Sequence, residues 1–233
     1  MHEEKKLTGF PSIDKPWLKY YSEEAINAPL PECTIYEYIW NCNKDHLEKP
    51  ALKYFNKRTT YKQMFSRIDA AAKAFKAVGV KQNELVSLCM LTMPETVYSI
   101  YGLNKIGAVS NLIEPRTNAE LIKERINAAN SRILVVVDVF LEKILKIANL
   151  TNLEKIIVVP LSESMPLYAK AGFYLTQARK IPRIPSNHRF EYWNTFIAAG
   201  KSTAVVNAPY QKDATAVIIV NVNEYLSQVL ANI

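Results

Sequence analysis

Few of the residue types that carry chemistry stand at a working spacing in this chain. Its three cysteines, Cys33, Cys42 and Cys89, include no Cys-x-x-Cys pair, so they offer neither a zinc site nor a redox dithiol and read as packed or surface thiols. His2, His46 and His188 lie far apart with no partner at ligand spacing, and we assign them no chemistry. All six glycines, Gly9, Gly79, Gly102, Gly107, Gly172 and Gly200, are isolated. A phosphate cradle needs small residues in a run, so that backbone N–H groups can approach the anion closely. None is encoded. The residue types alone therefore nominate no catalytic, cofactor-binding or metal-ligating position.

What remains is a charge asymmetry. Residues 165–201 hold Lys170, Arg179, Lys180, Arg183, Arg189 and Lys201 against one acid, Glu191, and so carry most of the net charge of +7. With Tyr168, Phe173, Tyr174 and Leu175 beside these cations, the stretch reads either as a solvated basic insertion or as a surface for an anionic membrane or acidic partner. No helix-turn-helix, zinc-finger spacing or RNA-binding signature accompanies it, so nucleic acid is not an expected partner.

The elements that would position a site show in the hydrophobic period. Thr60 and Gln63 have capping-box spacing, and Tyr61, Met64, Phe65, Ile68, Ala72 and Phe75 follow as one apolar helical stripe that Gly79 should stop. Thr92 with Glu95 and Thr117 with Glu120 repeat the capping-box spacing. The helix that begins beside Pro94 should end at Gly107. Strands are expected at 84–91, 108–113, 133–137, 156–159 and 216–220, nearly all apolar, as in a parallel sheet covered on both faces. Their alternation with helices predicts an α/β fold, a mainly parallel doubly wound sheet flanked by helices.

The expected organisation is one α/β domain over 1–233. Within it, 1–59 supplies an arm, a helix capped by Thr34 and a hairpin across 51–59; 60–160 supplies the core β/α units. Residues 161–213 read as the basic insertion, with a helix near Met165–Ala178, and 214–233 as the last strand and a divergent tail. Val222, Tyr225, Leu226, Val229, Leu230 and Ile233 share one helical face, which predicts a helix over 222–233. With 49% hydrophobic and 10% aromatic residues, the chain can bury a sizeable core. No apolar run approaches the ~20 residues that span a bilayer. The opening MHEEKKLTGFPS has no signal-like apolar segment, so a cytoplasmic location is expected.

The Thr60-Tyr61 helix start, Gly79-Val80, the apolar strand, Pro94-Glu95, Leu103-Asn104-Lys105-Ile106-Gly107-Ala108-Val109 and Pro115-Arg116 follow one another in an order that resembles the N-terminal part of adenylate-forming ligases. The branch they resemble most is the AMP-forming acyl-CoA synthetases. Asn83-Glu84 stands where that family usually has Gly-Asp, a change that a left-handed turn tolerates. The resemblance implies a two-step family reaction. A carboxylate attacks ATP to give an acyl-adenylate and pyrophosphate, and the CoA thiol then displaces AMP.

The family's phosphate loop, rich in Thr, Ser and Gly and followed by Pro-Lys-Gly, should follow Ala216–Val220. Here the residues are Asn221 to Ile233, without glycine or lysine. That tail reads either as the helix after a deleted loop or as out-of-frame sequence. The resemblance thus implies ATP, Mg and CoA for the full-length family but no cofactor for these residues, and no catalytic residue carries over. The expectation is the N-terminal part of an acyl-CoA ligase, inactive alone. The alternative is a non-catalytic interaction or membrane-surface module that uses 165–201.

Overall fold

The computed structural model describes residues 7–177 and 180–219 in full, and Val220 and 227–231 as backbone. The chain divides into two compact units, Met1–Pro31 and Glu32–Ile233. Among its described residues the first holds the short α-helices α1 (Pro11–Asp14) and α2 (Glu23–Asn27), the second of them capped by Ser22, with a 3-10 turn at Pro16–Tyr20 between them. The Asp14 carboxylate accepts from the N–H groups of Thr8 and Gly9, both at 2.9 Å, and so closes the loop before α1.

The second unit begins with α3 (Ile35–Asn43), β1 (Pro50–Tyr54), β2 (Lys57–Thr60), α4 (Tyr61–Ala77), β3 (Leu85–Cys89) and α5 (Pro94–Lys105). It continues with β4 (Val109–Leu112), α6 (Ala119–Ala128), β5 (Ile133–Val137), α7 (Leu141–Ile147), β6 (Lys155–Val159) and α8 (Leu167–Thr176). The last elements are β7 (Phe190–Tyr192), α9 (Trp193–Ala199), β8 (Thr215–Val220) and β9 (Ser227–Ala231). Strands β1 and β2 pair as an antiparallel hairpin. The others form one sheet in the order β7-β6-β5-β3-β4-β8-β9, parallel throughout except for β9. This is the doubly wound α/β architecture expected, and the five predicted strands all lie in it.

The sheet is doubly wound because its central strands carry buried apolar side chains on both faces. In β5 and β6, Val135, Val137, Ile157 and Val159 turn to one face and meet Ile68, Phe75, Leu103 and Phe196 of α4, α5 and α9. Leu134, Val136, Ile156 and Val158 turn to the other face and meet Ile122, Ile126, Leu141 and Ile144 of α6 and α7. Each such side chain stabilises the fold by about 1.5–3 kcal/mol relative to exposure. That gain offsets the entropy of ordering the crossovers.

Helix ends follow local chemistry. Thr60 Oγ1 accepts from the Gln63 N–H at 3.3 Å while Gln63 Oε1 accepts from the Thr60 N–H at 3.1 Å, the expected capping box. Thr34 makes a second one with Glu37. Helices α4 and α5 end as predicted at Gly79 and Gly107, with φ of +83° and +73°. In each case the next N–H reaches back to the final turn, Val80 to the Phe75 carbonyl and Ala108 to the Leu103 carbonyl. Asn130 closes α6 in the same way at φ +46°, and Asn83 takes φ +62° where the turn into β3 needs it.

Two capping boxes do not form. Met93 stands at the cap of α5 with no side-chain bond, because Thr96 Oγ1 donates to the Leu91 carbonyl and the Glu95 carboxylate turns inward to Ser164. Asn118, not Thr117, caps α6: its Oδ1 accepts from the Leu121 N–H at 2.8 Å, and Thr117 Oγ1 donates to the Glu114 carbonyl. The tail also differs from expectation. Residues 227–231 form β9, paired antiparallel with β8 from Val220↔Ser227 to Thr215↔Ala231, where a helix was predicted. Pairing satisfies the open edge of an apolar strand, a gain that helical periodicity does not anticipate. The remainder of that predicted helix, at 222–226 and 232–233, lies outside the described residues, as do His2, Ala178 and Arg179. Within 161–213, β7 extends the sheet and Trp193 and Phe196 of α9 enter the core.

Candidate functional site

In an open α/β sheet, ligands bind outside the carboxyl ends of the strands, where neighbouring strands send their connections to opposite faces. Only the topology reveals that point here. Strand β3 leads into α5 on the face shared with α4 and α9, whereas its neighbour β4 leads into α6 on the other face. A crevice of about 600 Å³ opens there, between the carboxyl ends of β3, β4 and β8. Met90 and Leu91 come from β3's end, Val97 and Ile100 from α5, Ile113 from β4's end and Ile219 from β8. The wall is apolar, and exposed Thr92 and Glu114 stand on its rim.

The rim is held from behind. Lys143 of α7 donates to the carbonyls of Pro115 and Thr117 at 3.0 and 2.5 Å, which fixes the loop leaving β4. The Arg116 N–H donates to Glu114 Oε1 at 3.0 Å and turns that carboxylate back onto its own loop. Below the crevice, Asn111 Nδ2 donates to Ser87 Oγ at 2.9 Å, and Ser87 Oγ lies 2.8 Å from Ser131 Oγ. This buried trio ties β3 to β4 and to the entry of β5, and it sets strand register where apolar side chains alone discriminate weakly.

The block from Leu103 to Val109, which carried much of the family resemblance, is spent on the scaffold. Asn104 Oδ1 accepts from the Tyr36 N–H at 2.8 Å and so satisfies a first-turn donor of α3. Lys105 Nζ bonds Asp69 at 2.9 Å and the Tyr36 hydroxyl at 3.2 Å. Burial would push the Lys105 ammonium down, but its hydrogen bonds to Asp69 and Tyr36 prevail and its pKa is raised. Burial acts upward on Asp69, and the Lys73 and Lys105 ammoniums beside it overcome that and hold it below its ordinary value.

Among the described residues two carboxyls are buried, Glu95, which the sequence suggested only as a capping residue, and Asp138, which it did not single out. Glu95, in the first turn of α5, accepts from Ser164 through Oε1, while its Oε2 has no hydrogen-bond partner among the described residues. Burial raises its pKa above the usual carboxylate range, against the pull of the Ser164 hydrogen bond. Asp138, just after β5, accepts from the Leu161 N–H at 3.0 Å, and burial raises it too. Both bind the loop after β6 to the strand ends, and neither lines the crevice. The signal was a carboxylate placed directly after an apolar strand or beside a helix-start proline. Cys89 is sealed inside β3 with its thiol pushed up to about 12 by burial, which suits a packed thiol.

A triphosphate needs N–H groups bared by small residues together with a cation, and the residues after Val220 contain neither glycine nor lysine. No group of three or more His, Cys, Asp or Glu side chains is placed to hold a metal ion among the described residues. No described helix is long and apolar enough to cross a membrane.

Comparison with known proteins gives consistent findings. A family profile described as "AMP-binding enzyme" matches residues 39–219. The long-chain-fatty-acid–CoA ligase of Bacillus subtilis (strain 168) is 21% identical over 168 residues, which are 72% of this chain and 30% of that one. An acetyl-coenzyme A synthetase of Allorhizobium ampelinum is 29% identical over 109 residues, 42% of this chain and 17% of its own. The fold matches the crystal structure of an anthranilate CoA ligase in complex with anthranoyl-AMP at a TM-score of 0.65 and 21% identity, covering 81% of this chain and 32% of that one. The chain thus spans about a third or less of the length of each.

Proposed function

The chain belongs to the AMP-binding enzyme family, and from that premise we propose that it forms the apolar wall of a carboxylate pocket in an ATP-dependent acyl- or aryl-CoA ligase. We propose further that these 233 residues do not form an acyl-adenylate by themselves. One observation carries the reading. An apolar crevice lies at the point where the sheet reverses its winding, and the strand beside it, β8, runs into residues with no glycine or lysine. The crevice binds the hydrocarbon or ring of an organic acid by burying its apolar surface, and the polar rim at Thr92 keeps the carboxylate end outward. The names of the relatives support this substrate class, being ligases of a long-chain fatty acid, acetate and anthranilate.

The residues present supply positioning and water exclusion, and we assign them no adenylyl-transfer step. Calorimetric titration with short, medium and long fatty acids and with aromatic acids tests the proposal. Binding of at least one apolar acid, lost in Val97→Arg and unaffected by ATP, is the expected result. Heat from ATP alone at ordinary micromolar affinity, or acid binding indifferent to Val97→Arg, overturns it.

A further inference from the structure

Helix α8 turns an uncharged, largely apolar face outward. A surface helix normally turns apolar residues inward and charges outward. In α8 the inward residues Ala169 and Phe173 line a cavity of about 670 Å³ with Phe55, Val139, Leu161 and Met165. Leu167, Ala171, Tyr174 and Leu175, at positions i, i+4, i+7 and i+8, share the outward face, and Leu167 and Leu175 are both 85% exposed. Lys170 is the only charged residue of the helix, and it is half-buried. The outer face of α8 therefore carries no charge at all.

The surroundings say what would cover such a face. The hairpin tip between β1 and β2 stands beside α8, since the Tyr168 hydroxyl donates to the Phe55 carbonyl at 2.8 Å. That tip exposes Phe55 together with Lys53, Lys57 and Arg58, and PALKYFNKRTT, the whole hairpin, contains no acid. After α8 come exposed Lys180 and Arg183, and between Leu161 and Arg183 the single acid is Glu163, half-buried and near Asn194. Apolar and aromatic side chains flanked by cations match the boundary of an anionic bilayer. Aromatic rings sit there at headgroup depth and lysine and arginine meet lipid phosphates.

Of the rest of the basic stretch, Lys201 is exposed just after α9, and Arg189 and Glu191 are engaged elsewhere. Arg189 is tied to Asn149 at 3.0 Å and to the Ala148 carbonyl, and Glu191 pairs with Lys155 at 3.0 Å. The hairpin tip and the residues that follow α8 thus supply exposed cations beside that face.

We propose that α8 and the β1–β2 tip form a docking surface for anionic phospholipid, with α8 lying in the bilayer interface on its outer face. This goes beyond the ligase reading and does not depend on it. Co-sedimentation of the full chain with vesicles of phosphatidylcholine plus phosphatidylglycerol, and of phosphatidylcholine alone, tests it.

Binding to the anionic vesicles at low salt, falling steeply toward about 0.5 M salt as exposed charges are screened, is expected. Leu175→Glu or Leu167→Glu should weaken it about tenfold or more, because the charge cannot enter the acyl boundary. Lys180→Glu and Arg183→Glu should each weaken it about fivefold and flatten the salt dependence. Lys146→Glu, on α7 at the opposite face of the sheet, should change nothing. Absence of wild-type binding to anionic vesicles at low salt overturns the proposal whatever the variants do. So does binding unchanged by Leu175→Glu. Concentration-dependent dimerisation abolished by Leu175→Glu, without vesicle binding, assigns the face to a second copy instead and also overturns it.

Discussion

Strands β5 and β8 are alike in composition and opposite in surroundings. Ile133–Val137 reads ILVVV and is buried at every position, with helices on both faces. Thr215–Val220 reads TAVIIV, yet among its described side chains only Ala216 is buried, Val217 and Ile218 are half-buried, and Ile219 is 41% exposed at the mouth of the crevice. Side-chain type makes both of them strands. Whether a strand becomes core depends on what the crossovers lay over it, and the helices concentrate over β3, β5 and β6. The sealed centre carries stability, and β8 lends Ile219 to the wall of the crevice.

The largest effect expected from this contrast is in the centre. Ile156→Ala, at a fully buried position, should cost about 2–5 kcal/mol in urea unfolding, the range for a truncated core residue that leaves a cavity. A loss no greater than that of an Ile219 variant would break the comparison.

Gly107→Ala should follow. Its backbone sits at φ +73°, and an added Cβ would stand 2.8 Å from the Ala208 Cβ and 2.9 Å from Gln82. Overpacking and left-handed strain together predict about 1–3 kcal/mol of destabilisation. Stability equal to wild type would mean that the link between α5 and β4 is looser than described.

A smaller effect should appear in pH dependence. Burial raises Glu95 and Asp138 above the ordinary carboxylate range in the folded state. Their neutral forms favour folding at acid pH, and that contribution fades as pH rises through the raised values. Glu95→Gln should therefore flatten the fall in stability toward neutral pH and stabilise the protein there. Asp69, held low by Lys73 and Lys105, acts with the opposite sign, and its contribution is lost as pH falls. Thermal unfolding across pH 3–8 separates the two, and a Glu95→Gln profile parallel to wild type would contradict the assignment.

The smallest stability change is expected from Ile219→Ala, within about 0.5–1 kcal/mol for a largely exposed side chain. That variant should nonetheless weaken binding of an apolar acid, which calorimetry reads directly. A stability loss matching Ile156→Ala would show β8 to be core after all.

Much of the fold was legible because its strands are short apolar runs and its long helices keep one stripe. Thr60, Gly79 and Gly107 marked the ends of elements for reasons of local chemistry that survive in the structure. Other features were not. Thr-x-x-Glu spacing cannot tell which nearby polar residue wins the cap, and Asn118 displaced Thr117. The three residues of β7 are too few to show a period, and β9 was read as helix because pairing with a distant strand leaves no mark in a window of sequence.

The crevice was wholly invisible, since it exists only because α5 and α6 leave neighbouring strands toward opposite faces. Conversely, Asn104 and Lys105 stood inside a family signature, and their side chains bind α3 and α4.

The central claim is that these residues shape a carboxylate pocket without an adenylyl-transfer site. ATP–pyrophosphate exchange tests it most directly, measured with the purified chain across short, medium and long fatty acids and aromatic acids. Donors preorganised around a reacting anion are worth about 3 kcal/mol apiece, and the residues after Val220 supply neither small residues nor a lysine. The account predicts exchange indistinguishable from a no-protein control with every acid, including any acid that binds the crevice. Carboxylate-dependent exchange clearly above that control, abolished by a single substitution in this chain, would contradict it.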